Sequence, residues 1–329
     1  MSVLTICNHK GGTGKTTSSI HLAAAFGVRG HRVLVVDFDP QGFLTRMVGA
    51  PEPAPEASSL GLLDPAADLR SFPVHAASGF DLIGSSMALT KAMRSLNKPT
   101  DVMWLRETIR AGHDYDLILL DTAAALSVFT MNALVASDHV VVPVTPEYQP
   151  VVGAEQTWQT ARLVRSKLNP RLQAPRFLLT QVDARLTRHA RYSDYLRQKY
   201  AEAVLGTAIR TSSSLAVASR DGRTVFDARV TTRGAVDYAA AAREIEADLF
   251  PDPSTDESPA ASGPAASGTV ASETVVSGPA ASGADTEAGG DGSGAPEPAA
   301  RPGLGAAFVY RDPEADAPAG MTWTTLDAL

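Results

Sequence analysis

The stretch that most restricts what this chain can fold into is Lys10-Gly11-Gly12-Thr13-Gly14-Lys15-Thr16-Thr17. An apolar run, Val3-Leu4-Thr5-Ile6-Cys7, leads into it and reads as a buried strand. Residues 18–26 follow and read as a helix. A glycine-rich turn between strand and helix lets backbone N–H groups close around phosphate oxygens, and the helix N-terminus adds a favourable dipole. Lys15 is then placed to neutralise β- and γ-phosphates, and the Thr16 hydroxyl to ligate Mg²⁺. The strict phosphate-loop pattern has a glycine five residues before Gly14. Here that residue is His9, and a second lysine, Lys10, enters the loop. A chance glycine-rich turn is the bland alternative. Two lysines and three glycines in register argue against it.

Two further apolar runs end in acid. Arg32-Val33-Leu34-Val35-Val36-Asp37 continues into Phe38-Asp39-Pro40-Gln41, and Asp116-Leu117-Ile118-Leu119-Leu120-Asp121 has the Walker B form. Continuous apolarity means both faces of a strand are covered, as in a parallel sheet. Ligands of open α/β sheets bind at the carboxyl ends of such strands. Asp121 is expected to hold Mg²⁺, through water. The plain alternatives are a strand-ending turn broken by Pro40 and an aspartate that caps the next segment. Residues 139–144 and 177–182 read as further buried strands, and 234–249 as a closing helix. Residues 50–80 read as a proline-rich loop with a short strand beginning at its end, within 79–84. Residues 87–110 read as helix broken near Asn97-Lys98-Pro99, with Leu105 and Ile109 on a core face. Buried strands alternating with helices predict a doubly wound α/β fold with a mostly parallel sheet, that is, a phosphate-loop NTPase.

Cys7 is the one cysteine, so neither a disulfide framework nor a Cys-ligated cluster is expected, and a reducing, cytoplasmic setting is. Met1 leads straight into the first strand, so no leader is expected. No apolar run approaches 18 residues, so neither is a membrane span. The net charge of −7 is unevenly spread. Residues 251–329 hold 12 Asp and Glu against two Arg, while 1–250 hold 24 acids against 27 Lys and Arg. The acidic part is dominated by Ala, Gly, Ser and Pro, and repeats PAASG at 259–263, 264–268 and 279–283. Such a composition cannot bury enough apolar surface to offset its ordering entropy. The expected organisation is a phosphate-loop domain over 1–250, a disordered acidic linker over 251–302, and a tip over 303–329 carrying Phe308, Tyr310 and Trp323 as possible docking anchors.

The octet, with Asp37-Phe38-Asp39-Pro40-Gln41 and the run ending in Asp121, resembles the deviant phosphate-loop ATPases of the ParA/MinD family, over about residues 1–250, and most of all its Soj-like DNA partition ATPases. The resemblance implies slow Mg-ATP hydrolysis, with Lys10, Gly11, Gly12, Thr13, Gly14, Lys15, Thr16 and Thr17 around the nucleotide. It implies that Lys10 reaches the partner's nucleotide in an ATP-bound homodimer. It gives Asp39 the attacking water, and gives Asp37 a supporting place at the metal beside Thr16 and Asp121. The turn after residues 177–182 borders the adenine in relatives, which points to Asp183. The family also implies a partner protein of the ParB kind that stimulates hydrolysis. One departure stands out. Most members carry two prolines shortly after the Walker B aspartate, where this chain has Ala123-Ala124. Proline fixes φ, so their loss bears on how the switch is gated.

Residues 160–233 hold 15 Lys and Arg against five Asp and Glu. Helical spacing places Arg188, Arg191, Tyr195 and Lys199 on one face, with Leu196, Tyr200 and Ala203 on an adjacent apolar face. A solvated surface is the bland reading. An excess this large is also the footprint of nucleic-acid binding. Partitioning relatives place arginines just after the strand at 177–182, a neighbourhood that Arg185 and Arg188 match, and with Arg191 from the basic helix face these are the expected contacts to non-specific DNA in a nucleoid-associated protein. A second family arginine is replaced by the segment Arg210-Thr211-Ser212-Ser213-Ser214-Leu215, with Arg210, Arg220 and Arg223 as candidates to compensate. Two other classes compete. A MinD-like membrane positioner needs a terminal basic amphipathic helix, and residues 321–329 contain no Lys or Arg. A metabolic phosphate-loop enzyme, such as an amide-forming ligase, needs a dedicated substrate pocket.

Overall fold

The computed structural model describes residues 1–96 and 98–251. The linker and tip expected beyond residue 251 lie outside the described residues. In chain order the elements are β1 (Ser2–Ile6), α1 (Lys15–Val28), β2 (Val33–Asp37), α2 (Phe43–Met47), β3 (His75–Ala77), β4 (Phe80–Ile83), α3 (Ala88–Ser95), α4 (Trp104–Ala111) and β5 (Leu117–Asp121). They continue with α5 (Val128–Ala136), β6 (His139–Val144), α6 (Tyr148–Lys167), β7 (Arg176–Val182), α7 (Thr187–Tyr200), β8 (Val204–Arg210), α8 (Ser213–Arg220) and α9 (Arg233–Leu249).

The strands form one sheet in the order β3-β4-β2-β5-β1-β6-β7-β8. Every neighbouring pair is parallel except β3 with β4. The doubly wound, mostly parallel architecture is therefore the one the sequence predicts. The central strands β1, β2 and β5 are buried at every position, as continuous apolar runs require. Alternate side chains serve opposite layers. Leu4 and Ile6 pack with Ile20 and Phe26 of α1 and with Tyr238 and Ile245 of α9. Val3, Leu34, Val36, Ile118 and Leu120 pack on the other face with Leu105 and Ile109 of α4 and Phe129 of α5. A fully buried Phe or Leu of this kind contributes about 1.5–3 kcal/mol.

Two edge strands were not legible as separate strands. β3 is three residues long and half-exposed, and β8 contains the exposed Gly206 and pairs with β7 through register shifts. The break expected in 87–110 falls between α3 and α4, where Asn132 caps α4 by accepting from the Leu105 N–H at 3.3 Å. No helix among the described residues is long and apolar enough to cross a membrane.

Candidate nucleotide site

Register places three strand ends side by side, with Ile6 of β1 opposite Asp121 of β5 and Asp121 opposite Asp37 of β2. The loop between β1 and α1 crosses this edge. Its glycines Gly12 and Gly14 take φ of 80° and 82°, a left-handed conformation that side-chain-bearing residues rarely adopt. Among the described residues, the N–H groups of Gly11 to Thr17 have no hydrogen-bond partner. Alternating backbone hands with free, converging N–H groups make an anion-binding concavity. A cavity of about 620 Å³ opens there. Gly11, Gly12, Gly14, Lys15, Thr16 and Thr17 line it together with Asp39, Ala124, Thr180, Gln181, Arg210 and Tyr238.

Asp121 is fully buried. It accepts from Thr16 Oγ1 at 3.0 Å and Ser19 Oγ at 2.7 Å. Burial first, and then the Asp37 carboxylate alongside, pushes its pKa up to about 7. Burial pushes Asp37 up to about 6 against hydrogen bonds from Thr45 and Asp39. Asp37 differs from Asp121 in its donors, which come from the turn and helix after β2 and not from α1. Oδ2 accepts from the Thr45 N–H at 3.0 Å and hydroxyl at 2.7 Å, and Oδ1 from the Asp39 N–H at 3.0 Å. Asp37 therefore braces the turn that carries Asp39. Asp39 is half-buried at the cavity wall, with Oδ1 accepting from the Gln41 N–H at 2.9 Å. Burial lowers the Lys15 pKa, against the attraction of Asp121. Two buried carboxylates beside one buried lysine leave the site short of positive charge. A carboxylate beside a hydroxyl is a donor set that suits Mg²⁺, an ion that usually keeps several of its waters, so Thr16 and Asp121 fit that ion.

Lys10 belongs to the loop but not to the cavity lining. Its N–H donates to Asn8 Oδ1 at 2.9 Å, and Asn8 Nδ2 donates to the Pro143 carbonyl at 2.8 Å. The His9 N–H donates to Thr157 Oγ1 at 3.0 Å. A Cβ at Gly153 of α6 would stand 2.7 Å from Lys10 Cβ and 2.8 Å from Asn8 Oδ1. Helix α6 thus grips the loop ahead of its glycines, through residues the sequence reading did not single out.

The basic segment is arranged differently from the expectation. Tyr195 is buried, and Lys199 Nζ and Tyr195 Oη both donate to Glu155 Oε1 of α6 at 2.9 Å, so Tyr195 leaves the outward face while the exposed Lys199 stays on it with its charge paired. Arg185 is 88% exposed and pairs with Asp183 at 2.7 Å, and Arg188 is 56% exposed and pairs with Glu147 at 3.2 Å. Arg191 is exposed on α7. Arg210 lies at the cavity wall with its guanidinium on Asp237, and Arg220 is exposed and pairs with Asp221. Asp183 holds Arg185, and the cavity wall is made by the preceding Thr180 and Gln181 instead.

A family profile described as an AAA domain matches residues 1–174. The chain is 38% identical over 247 residues to the chromosome-partitioning ATPase Soj of Thermus thermophilus, covering 74% of this chain and 95% of that protein. The chain belongs to the ParA/MinD family, on its Soj-like side. Within that family it is also 33% identical to the sporulation initiation inhibitor protein Soj of Bacillus subtilis, over 75% of this chain and 98% of that one. Among solved structures it is similar to the cobyrinic acid a,c-diamide synthase of Mycobacterium smegmatis with bound ADP and magnesium. The TM-score is 0.63 at 26% identity, over 75% of this chain and 94% of that one.

Proposed function

We propose that this ParA/MinD-family chain is a Mg-ATP-hydrolysing switch that dimerises with ATP, binds duplex DNA without sequence preference, and positions a plasmid, chromosome or other cargo. The observation that carries this reading is a loop with two lysines, of which Lys15 stands at the cavity and Lys10 outside its lining. A cation braced in the loop but not serving its own pocket is suited to a neighbouring subunit's phosphates. The free N–H groups and Lys15 hold the phosphates. Mg²⁺, when bound at Thr16 and Asp121, spreads charge from the terminal phosphates. Asp39 orients the attacking water, and the second subunit's lysine stabilises the charge that develops on transfer. Partition relatives at 31–38% identity support the role in segregation. The exposed Arg185, Arg188 and Arg191 supply the cationic face, with a ParB-like partner as the stimulator of hydrolysis.

The likeness to an amide-forming synthase supports a metabolic reading as the alternative. The Soj relatives outweigh it, being more similar over nearly their whole length. One experiment separates the two. Sedimentation of the protein with Mg-ATP is expected to show a dimer that retains duplex DNA. Lys10→Ala is expected to bind ATP while losing the dimer and its turnover. An unchanged dimer with unchanged turnover in that variant removes the basis for the switch.

A further inference from the structure

We infer that Thr180 and Gln181, the consecutive residues near the end of β7, are positioning residues that preset the phosphate loop for a nucleotide's β-phosphate. The inference rests on the nucleotide reading above and deepens it. Thr180 Oγ1 donates to the Thr13 carbonyl at 2.8 Å, and Gln181 Nε2 donates to the Gly12 carbonyl at 2.7 Å. In a planar trans peptide the carbonyl of one residue and the N–H of the next point in opposite directions. Anchoring the Gly12 and Thr13 carbonyls on β7 therefore turns the Thr13 and Gly14 N–H groups away from β7, and those N–H groups have no partner among the described residues. The Lys10 carbonyl is held in the same way, by Lys15 Nζ at 3.2 Å and Thr13 Oγ1 at 3.4 Å.

Gln181 is held in an unusual conformation to do this. Its φ is 53°, a left-handed value that costs conformational energy for any residue but glycine. Its surroundings hold it there. Its carbonyl accepts from Thr211 Oγ1 at 3.1 Å, and its amide nitrogen also donates to Thr145 Oγ1 at 3.3 Å. A strand end with no duty at the loop would satisfy this backbone more easily with glycine. The side-chain amide is what glycine would lose. Preset donors do not have to reorganise when the anion arrives, so the clamp acts on affinity for the phosphates and not on the base end of the cavity.

The test is calorimetric binding of Mg-ADP, with AMP, which lacks the β-phosphate, as a competing probe. Gln181→Gly and Thr180→Val are each expected to weaken Mg-ADP by roughly fivefold, the worth of one net hydrogen bond. AMP competition is expected to stay unchanged. Thr180→Ser keeps the hydroxyl and is expected to bind like the unaltered protein. The inference is overturned if Gln181→Gly and Thr180→Val bind Mg-ADP normally, if Thr180→Ser loses as much as Thr180→Val, or if AMP weakens in parallel. Failure of the unaltered protein to bind Mg-ADP overturns the nucleotide reading itself, and this inference with it.

Discussion

His21 sits on the inner face of α1 with Nε2 buried and unpartnered among the described residues, its ring 5.2 Å from that of Tyr238. Burial, opposed by Asp227, lowers its pKa to about 4, and burial followed by repulsion from Lys15 does the same to His9. An unfolded histidine takes its proton near 6.5. Between about 6.5 and about 4 the unfolded chain therefore binds more protons than the folded one. This contribution to stability is complete above pH 6.5 and is lost as the pH falls toward 4. Each histidine contributes up to about 1.4 kcal/mol per pH unit across that window. His21→Asn is expected to shrink the stability difference between pH 7.5 and pH 5, measured by urea unfolding. An identical pH dependence in the variant would mean that His21 takes up its proton as readily in the fold as in the unfolded chain. Residue-level chemistry was legible where a motif is contiguous, as for Lys15, Thr16 and Asp121. It was hidden where the partner is remote. Ser19 reaches Asp121 across 102 positions, and Gln181 reaches Gly12 across 169, so no local pattern announces either contact.

At the scale of elements, the continuous apolar runs of β1, β2 and β5 announced themselves because a central parallel strand is covered on both faces. The edge strands did not, because β3 and β8 expose part of their length and carry mixed residues. The face of α7 was misjudged for a related reason. Helical spacing says which residues share a side but not what lies opposite, and here Glu155 of α6 draws Tyr195 inward and pairs the charge of the exposed Lys199. Helix α6 has a second duty that spacing could not show. Thr157 accepts from the His9 N–H and donates to the Gly153 carbonyl at 2.8 Å, so the helix and the loop interlock where Gly153 lacks a side chain. Gly153→Ala puts a methyl group 2.7 Å from Lys10 Cβ. Overpacking of this kind costs about 1–3 kcal/mol in stability. Misplacing a catalytic group by an ångström costs on the order of 10²-fold in rate. The variant is expected to hold Mg-ADP within a few-fold of normal while its ATP turnover collapses, read side by side by calorimetry and phosphate release. Equal losses in both would place the effect in the fold rather than in Lys10.

For the whole molecule, the distribution of charge matters more than its total. Residues 160–233 carry an excess of ten positive charges, and residues 251–329 an excess of ten negative charges. The α/β domain closes on itself before the acidic part begins. Ser2 Oγ donates to the Leu249 carbonyl at 2.8 Å, and His31 stacks on Phe250 with ring centroids 4.8 Å apart. A chain ending after Phe250 therefore keeps every contact of the fold described above. If the acidic part competes with DNA for the basic face, the shortened chain binds duplex DNA more tightly in ATP. The gain is largest at low salt, because charges farther apart than ~10 Å are screened at about 0.1 M. Each phosphate contact contributes about −0.9 to the slope of log affinity against log salt, so competition also makes the full chain's slope shallower. The two titrations are expected to diverge at low salt and converge at high salt. Superimposable titrations would leave DNA to the domain alone and make a separate protein partner the better assignment for residues 303–329, whose Phe308, Tyr310 and Trp323 supply apolar anchors that the PAASG repeats lack.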